Sequence, residues 1–148
     1  MPATKTAPKR KNDNVFTEAE RAAVAATARE RKADPAEGLK DLRESLGKMP
    51  PDDRAMGERI HEIVTAAVPD LAPKTYYGMP AYAQPGKDGK VIAFYKAKSK
   101  FRVRYSTFGF QPDAKLDDGE MWPTEFAVIK MTPAVESRIA ELIKKAAG

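Results

Sequence analysis

Oxygen-donor side chains are concentrated between residues 111 and 125 of this sequence. Carboxylates are the ligands that hard cations such as calcium, magnesium and ferrous iron prefer. An EF-hand is excluded, because its first two ligand positions would be Ala114 and Leu116. Alternatively, Asp-Asp-Gly at 117–119 is a turn sequence whose carboxylates are solvated. The candidate metal ligands are Asp113, Asp117, Asp118, Glu120 and Glu125.

A second group of candidate residues is cationic. Phe101, Val103 and Tyr105 alternate with polar residues, which predicts a strand with the apolar three buried. The intervening Arg102 and Arg104 should then be exposed. Such a face can follow the phosphates of a nucleic acid or bind another anion, although alternating cations also protect a solvated sheet face from aggregation. The predicted basic face comprises Lys96, Lys98, Lys100, Arg102 and Arg104.

Aromatic residues surround the segment Tyr-Gly-Met-Pro-Ala-Tyr at 77–82. Gly78 permits a bend and Pro80 has no N–H for a ladder, so this segment is predicted to be an edge strand or a bulge. The side chains indicate a small-molecule pocket or base-stacking groups, and the alternative is ordinary core. The predicted pocket residues are Tyr76, Tyr77, Met79, Tyr82 and Trp122.

The sequence lacks the residues that the usual catalytic sites require. The chain has one histidine and no cysteine, which excludes thiolate nucleophiles, disulfides and nitrogen- or sulfur-rich zinc sites within one chain. It has no Ser in a G-x-S-x-G elbow, no P-loop and no dinucleotide fingerprint. His61 is interpreted as a helix boundary residue without a ligand role. We therefore expect a non-enzymatic protein.

The charge of the chain is unevenly distributed. The net charge of 148 residues is +5. Residues 75–110 contain seven Lys or Arg against one Asp, and the acidic stretch 111–131 follows. Length and an ordinary hydrophobic content predict one globular domain over 15–148, preceded by a disordered basic tail over 1–14.

Capping residues and apolar spacing predict four helices. The first covers residues 18–32, and the second starts at Asp34-Pro35 with a buried leucine stripe. The third begins after Pro50-Pro51 with Asp52 or Asp53 as its cap, and the last follows Thr132-Pro133.

Four strands are predicted between the third and last helices. They cover 79–82, 91–97, 101–106 and 124–131, with Asp88-Gly89 as a hairpin turn between the first two. Helices, then a contiguous antiparallel sheet of about four strands, then a closing helix indicate an α+β fold.

The sequence predicts a cytoplasmic protein without membrane partners. No apolar run approaches the roughly 18 residues that a span needs. The basic start of the chain also lacks the apolar region of a secretory signal.

The segment 74–82, Lys-Thr-Tyr-Tyr-Gly-Met-Pro-Ala-Tyr, resembles the YdhG-like family of small domains of unknown function. Phe-Gly-Phe at 108–110 and Leu-Asp-Asp-Gly-Glu-Met-Trp-Pro-Thr at 116–124 are similar to an actinobacterial-type branch of it. The resemblance covers about residues 38–146. It implies an α+β fold with an antiparallel sheet, a cytosolic setting and no established catalytic activity. Some members are described as frataxin-like intracellular iron chaperones.

Three functions follow as hypotheses. The first is a non-enzymatic binding or chaperone-like domain that handles iron, as the resemblance implies. The second is nucleic-acid or anion binding on the basic face, and the third is small-molecule binding in the aromatic pocket. The sequence leaves the ligand and the oligomeric state open.

Overall fold

The computed structural model describes residues 34–86 and 88–148. The basic tail and the helix predicted over 18–32 lie outside these residues. The chain continues with two helices, α1 (Pro35–Gly47) and α2 (Pro51–Ala67). The Asp34 side chain accepts from the Glu37 amide at 2.8 Å, which confirms the predicted cap of α1. Leu42 and Leu46 point into the core.

An antiparallel sheet of five strands follows in simple meander order. The fold is therefore α+β, as predicted, with one strand more than expected. The additional strand begins at Ala72, where Pro73 and Lys74 give no clear alternation. The strands are β1 (Ala72–Tyr76), β2 (Met79–Ala83), β3 (Val91–Lys96), β4 (Ser106–Phe110) and β5 (Glu125–Val128).

The strand predicted over residues 101–106 is wrong. Residues 98–101 form a single helical turn, α3 (Lys98–Phe101), and β4 starts only at Ser106. Phe101 and Val103 are 40% and 49% exposed, whereas the sequence pattern placed them in the core. Arg102 and Arg104 are exposed as expected. The alternation of residue types in this segment therefore does not correspond to a strand, since these residues form a helical turn and a loop between β3 and β4.

The prediction for Pro80 is wrong in one part. β2 is not an edge strand but pairs with β1 on one side and β3 on the other. A two-residue turn joins β1 to β2, so Tyr76 and Met79 form the hydrogen-bonded pair that closes the hairpin. The next pair, Thr75 and Pro80, is then a non-hydrogen-bonded pair, and Pro80 needs no N–H on the β1 side. The ladder to β3 starts one residue later, at Ala81. The missing N–H is therefore tolerated, and the predicted bulge occurs at Tyr82/Ala83 instead.

The helices cover one face of the sheet. The last helix, α4 (Pro133–Ala147), is capped by Thr132 as predicted, and it packs beside α2. Gly57 allows α2 to approach closely, since a Cβ there would overlap Leu46 and the ring of Tyr95. Residues alternating along β2 and β3, including Ala81 and Phe94, form a smaller cluster on the opposite face.

No helix within the described parts of the chain is long and apolar enough to cross a membrane.

A polar pair lies at the edge of the main core. The Tyr82 side chain is 1% exposed, and its hydroxyl lies 3.0 Å from Nδ1 of His61. The two rings stack with an interplanar angle of 19°. Burial, together with the nearby charge of Arg43, lowers the pKa of His61 below its ordinary value of 6.5. His61 is therefore neutral in the folded protein at neutral pH.

We expect the free energy of unfolding to decrease as the pH falls through about 6.5, and to level off below the lower pKa of folded His61. The unfolded chain takes up a proton in this range and the folded chain does not. Urea denaturation of the wild type and His61→Gln between pH 7.5 and 5.5 measures the effect. Because the chain has one histidine, the two curves should converge at lower pH. Parallel curves would contradict this assignment.

Candidate functional site

The tip of the hairpin between β1 and β2 is held on two sides. Tyr77 and Gly78 have φ of 49° and 78°, the values of a type I′ turn. The Ser45 hydroxyl in α1 donates to the carbonyl of Gly78 at 2.7 Å, and Nζ of Lys100 in α3 donates to the carbonyl of Tyr77 at 3.3 Å. A Cβ at Gly78 would approach Lys100 Nζ at 3.0 Å. The hairpin therefore joins α1 to α3.

Tyr77 is an unusual residue for this turn. Type I′ turns favour Asn, Asp or Gly at the first central position, and a left-handed backbone costs other residues about 1–2 kcal/mol. Tyr77 is nevertheless 56% exposed, although its ring packs edge-on against that of Tyr76, with ring centres 4.6 Å apart. A strained position that presents a large aromatic ring to the surface indicates a functional role.

A buried carboxylate fixes α3. Asp53 in α2 is 1% exposed and binds Nζ of Lys98 at 2.7 Å. It also accepts from the Ser99 amide at 3.2 Å and from the Ser99 hydroxyl. Burial alone would raise the pKa of Asp53, but the hydrogen bonds from Lys98 and Ser99 lower it. The sequence predicted Asp52 or Asp53 as a helix cap, but Pro50 occupies the cap position without a side-chain hydrogen bond.

Four of the five predicted basic residues lie on a helical turn and a loop rather than on a sheet face. Lys96 ends β3, Lys98 and Lys100 lie in α3, and Arg102 and Arg104 follow in the loop. We call residues 96–105 the basic segment. Arg102 ends α3 in the left-handed conformation, with φ of 54°. The helical turn in place of the predicted strand has a physical basis, because Asp53 binds Lys98 and Ser99 at its start.

Four of the five cations remain available to a ligand. The charge of Lys98 is compensated by Asp52 and Asp53, at 2.8 and 2.7 Å. The other four form no ion pair with any carboxylate in residues 34–86 and 88–148. Nζ of Lys96 lies 4.7 Å from the centre of the Phe101 ring, and that of Lys100 lies 5.7 Å from it. Basic groups and exposed rings therefore share one surface.

A cavity of about 620 Å³ adjoins the basic segment. One wall is the end of α1 and the residues after it, including Glu44, Lys48 and Met49. The hairpin contributes Met79, β3 contributes Tyr95, and α3 contributes Lys100. The Tyr95 hydroxyl donates to the carbonyl of Asp53 at 2.8 Å, and burial raises the pKa of Tyr95 to about 12. The cavity volume is in the range of small-molecule sites.

The predicted aromatic pocket is not assembled as expected. Of its five residues, only Met79 lines the cavity. Tyr82 is buried in the main core beside His61, and Trp122 packs against the same core. Tyr76 lies against Phe94 on the opposite sheet face, with ring centres 6.2 Å apart.

The predicted metal ligands are dispersed. All five of these carboxylates are exposed, and Glu125 begins β5 while the other four precede it in the connection from β4. Within residues 34–86 and 88–148, no three His, Cys, Asp or Glu residues form a group that could hold a metal ion. The structure does not bring these five side chains together.

No family model, curated protein or solved structure matches this chain. The family resemblance stays an expectation from the sequence motifs.

Sequence reasoning missed the residues of α1 and β3 that build the cavity. Ser45, Lys48 and Tyr95 lie on segments predicted only as structural elements. One signal was present: Ser45 lies three residues after Leu42 and next to Leu46 of the leucine stripe, so its polar side chain borders the core. That signal indicates a boundary position without identifying its partner.

We expect Asp53→Asn to lower the free energy of unfolding by about 1–3 kcal/mol, because the charged acceptor for Lys98 and Ser99 is lost. Urea denaturation near pH 7 measures this change. Asp52→Asn is the matched control, since the Asp52 side chain is 73% exposed and should matter little. Equal midpoints for the two variants would contradict the role assigned to Asp53.

We expect ferrous iron to bind weakly and without defined stoichiometry. Hard-cation sites in proteins gather about six or more oxygens, and these carboxylates do not form even a group of three. Anaerobic titration calorimetry of the wild type and of Asp117→Asn/Asp118→Asn tests this. Micromolar one-to-one binding that disappears in the variant would show that the five carboxylates do converge on iron.

Proposed function

We propose that this chain is a non-enzymatic binding domain whose basic segment holds a single-stranded nucleic acid. The observation that carries the proposal is a set of four cations, without an ion-pair partner in residues 34–86 and 88–148, interleaved with exposed apolar side chains. A solvated basic face has no need of exposed Phe101 and Val103, which leave about half of their surfaces in water. The cations are Lys96, Lys100, Arg102 and Arg104.

Charge complementarity supports a polyanion as the ligand. Of the five cations in residues 96–105, only Lys98 forms an ion pair with a carboxylate in residues 34–86 and 88–148. The other four give this segment a charge of +4. Neutralisation of phosphates by Lys and Arg releases counterions, which is the main sequence-independent source of affinity for nucleic acids.

The exposed rings favour a single strand over a duplex. Bases of a single strand are free to stack on aromatic side chains, whereas those of a duplex are already stacked. Phe101 and Tyr77 are joined through Lys100, which donates to the Tyr77 carbonyl and lies near the Phe101 ring. Guanidinium groups add to this surface, since Arg104 lies 5.3 Å from the centre of the Tyr105 ring.

Iron handling has less support. The resemblance implies it, but the dispersed carboxylates offer no group for a hard cation. We therefore favour the nucleic-acid hypothesis over it.

We expect the affinity for a single-stranded oligonucleotide to fall as salt rises, with a log–log slope of about −0.7 for each phosphate neutralised. Arg102→Ala/Arg104→Ala should therefore make the slope shallower by about 1.4. Fluorescence anisotropy with a labelled strand at several salt concentrations measures it. Lys144→Ala/Lys145→Ala removes the same charge from exposed positions of α4 and serves as the control.

Phe101→Ala separates stacking from charge within the same experiment. It should weaken binding about fivefold or more and leave the salt slope unchanged, because a lost stacking contact involves no counterions. Absence of binding at low salt, or equal effects of the α4 control, would refute the proposed function.

A further inference from the structure

The outer edge of β5 carries backbone groups that the sheet does not use. In the part of the chain that the structure describes, β5 pairs with β4 alone and ends the sheet. The Phe110 amide donates to the Thr124 carbonyl at 2.8 Å, and hydrogen-bonded pairs alternate with non-hydrogen-bonded pairs along an antiparallel ladder. In this register Glu125 and Ala127 belong to non-hydrogen-bonded pairs. Their N–H and C=O groups therefore point away from β4.

This edge is open to solvent. Glu125, Ala127 and Ile129 are exposed, and Ile129 keeps 67% of its surface in water. Phe126 and Val128 alternate with them and pack against the main core. A row of unused backbone groups beside an exposed isoleucine is a template on which another strand can pair.

The opposite edge of the sheet is closed. It is formed by β1, and the hydrogen-bonded pair that closes the hairpin leaves Pro73 with its backbone directed outward. Pro73 has no N–H, and its carbonyl lies against α1, since a Cβ on Gly38 would overlap that oxygen. Proline and a covering helix are two ways in which proteins block an edge strand. Residues 124–129, in contrast, contain no proline and no lysine.

We propose that β5 pairs antiparallel with β5 of a second copy of this chain, so that the two five-stranded sheets become one continuous sheet. The two-fold axis passes through Ala127, which opposes its own counterpart, and Glu125 opposes Ile129 of the second copy. Residues with outward backbone groups then face each other, as hydrogen-bonded pairs require. The inference uses no residue of the basic segment and goes beyond the proposed function.

The charges at the two ends of β5 favour a second copy in this orientation. Glu125 begins the strand and Lys130 lies just beyond its end. Antiparallel pairing places the Glu125 end of one copy beside the Lys130 end of the other, whereas parallel pairing would bring like charges together. The edge is therefore complementary to itself.

Side-chain pairing favours an axis at Ala127. An axis at Phe126 would make the two Glu125 side chains diagonal neighbours on one face, about 7–8 Å apart, where like charges repel. With the axis at Ala127, the two Glu125 residues lie four positions apart along the strands, about 13 Å. On the other face, Phe126 then opposes Val128 of the second copy, an aromatic and β-branched pair that stabilises antiparallel strands.

We expect a dimer that dissociates on dilution, because a short edge buries little surface. Sedimentation equilibrium between about 10 μM and 1 mM covers the affinities of such small interfaces. Ala127→Pro removes the outward N–H and leaves the hydrogen bonds between β4 and β5 in place. It should raise the Kd of the dimer about tenfold or more, since two hydrogen bonds are lost. Ala127→Ser keeps the N–H and should dimerise like the wild type.

Disulfide formation tests the register without a proline. The chain has no cysteine, so Ala127→Cys places a single thiol at the proposed axis. Cα atoms of a hydrogen-bonded antiparallel pair are about 5.5 Å apart, a distance that a disulfide spans. Oxidation with diamide should therefore link Ala127→Cys into covalent dimers. Glu125→Cys alone should not cross-link, whereas a mixture of Glu125→Cys and Ile129→Cys should give the linked heterodimer.

Glu141→Cys, at an exposed position of α4, measures cross-linking by random collision. Equal cross-linking of Glu141→Cys and Ala127→Cys would overturn the inference. A wild type that stays monomeric at about 1 mM would also overturn it and leave this edge to a strand of another protein. A dimer that Ala127→Pro does not weaken would place the interface elsewhere. Arg102→Ala/Arg104→Ala should leave dimerisation unchanged, so failure of this inference is distinguishable from failure of the proposed function.

Discussion

The site depends on one buried carboxylate. Asp53 leaves the solvent almost entirely, and an isolated buried charge would be expensive, so it needs partners of opposite charge and hydrogen-bond donors. Lys98 and Ser99, 45 and 46 residues further along the chain, supply them. The chain therefore bends out of the sheet after β3 and makes the turn of α3. Phe101 and Val103 consequently face outward beside the cations.

The hairpin tip completes this arrangement from the other side. Ser45 and Lys100 hold its two carbonyls, so three segments that are distant in sequence enclose one cavity. The left-handed Tyr77 and Arg102 lie in two of these segments, at the tip and at the end of α3. Both strained backbones carry large side chains toward the surface that we assign to ligand binding.

Electrostatics distinguishes the two charged regions of the sequence. The acidic residues of 111–125 are exposed and separate, so their charges are screened within about 8 Å at physiological salt. The cations of the basic segment are adjacent along a turn and share aromatic neighbours. A polyanion contacts several cations at once, whereas a metal ion needs several oxygens at one point. This difference favours the basic segment as the functional surface.

The sequence by itself determined the features that depend on near neighbours. The caps at Asp34 and Thr132, the apolar faces of the helices, the strands at 79–83 and 91–96, and hence the α+β fold, follow from local hydrogen bonds and periodicity. Only the tertiary structure decided the course of residues 98–105, the interior place of Pro80 and the cavity. The alternation of Phe101, Val103 and Tyr105 fits a strand pattern, but the contacts of Lys98 and Ser99 with the distant Asp53 stabilise a helical turn instead. A contact between residues more than 40 positions apart leaves no periodic trace, so local reasoning could not find it.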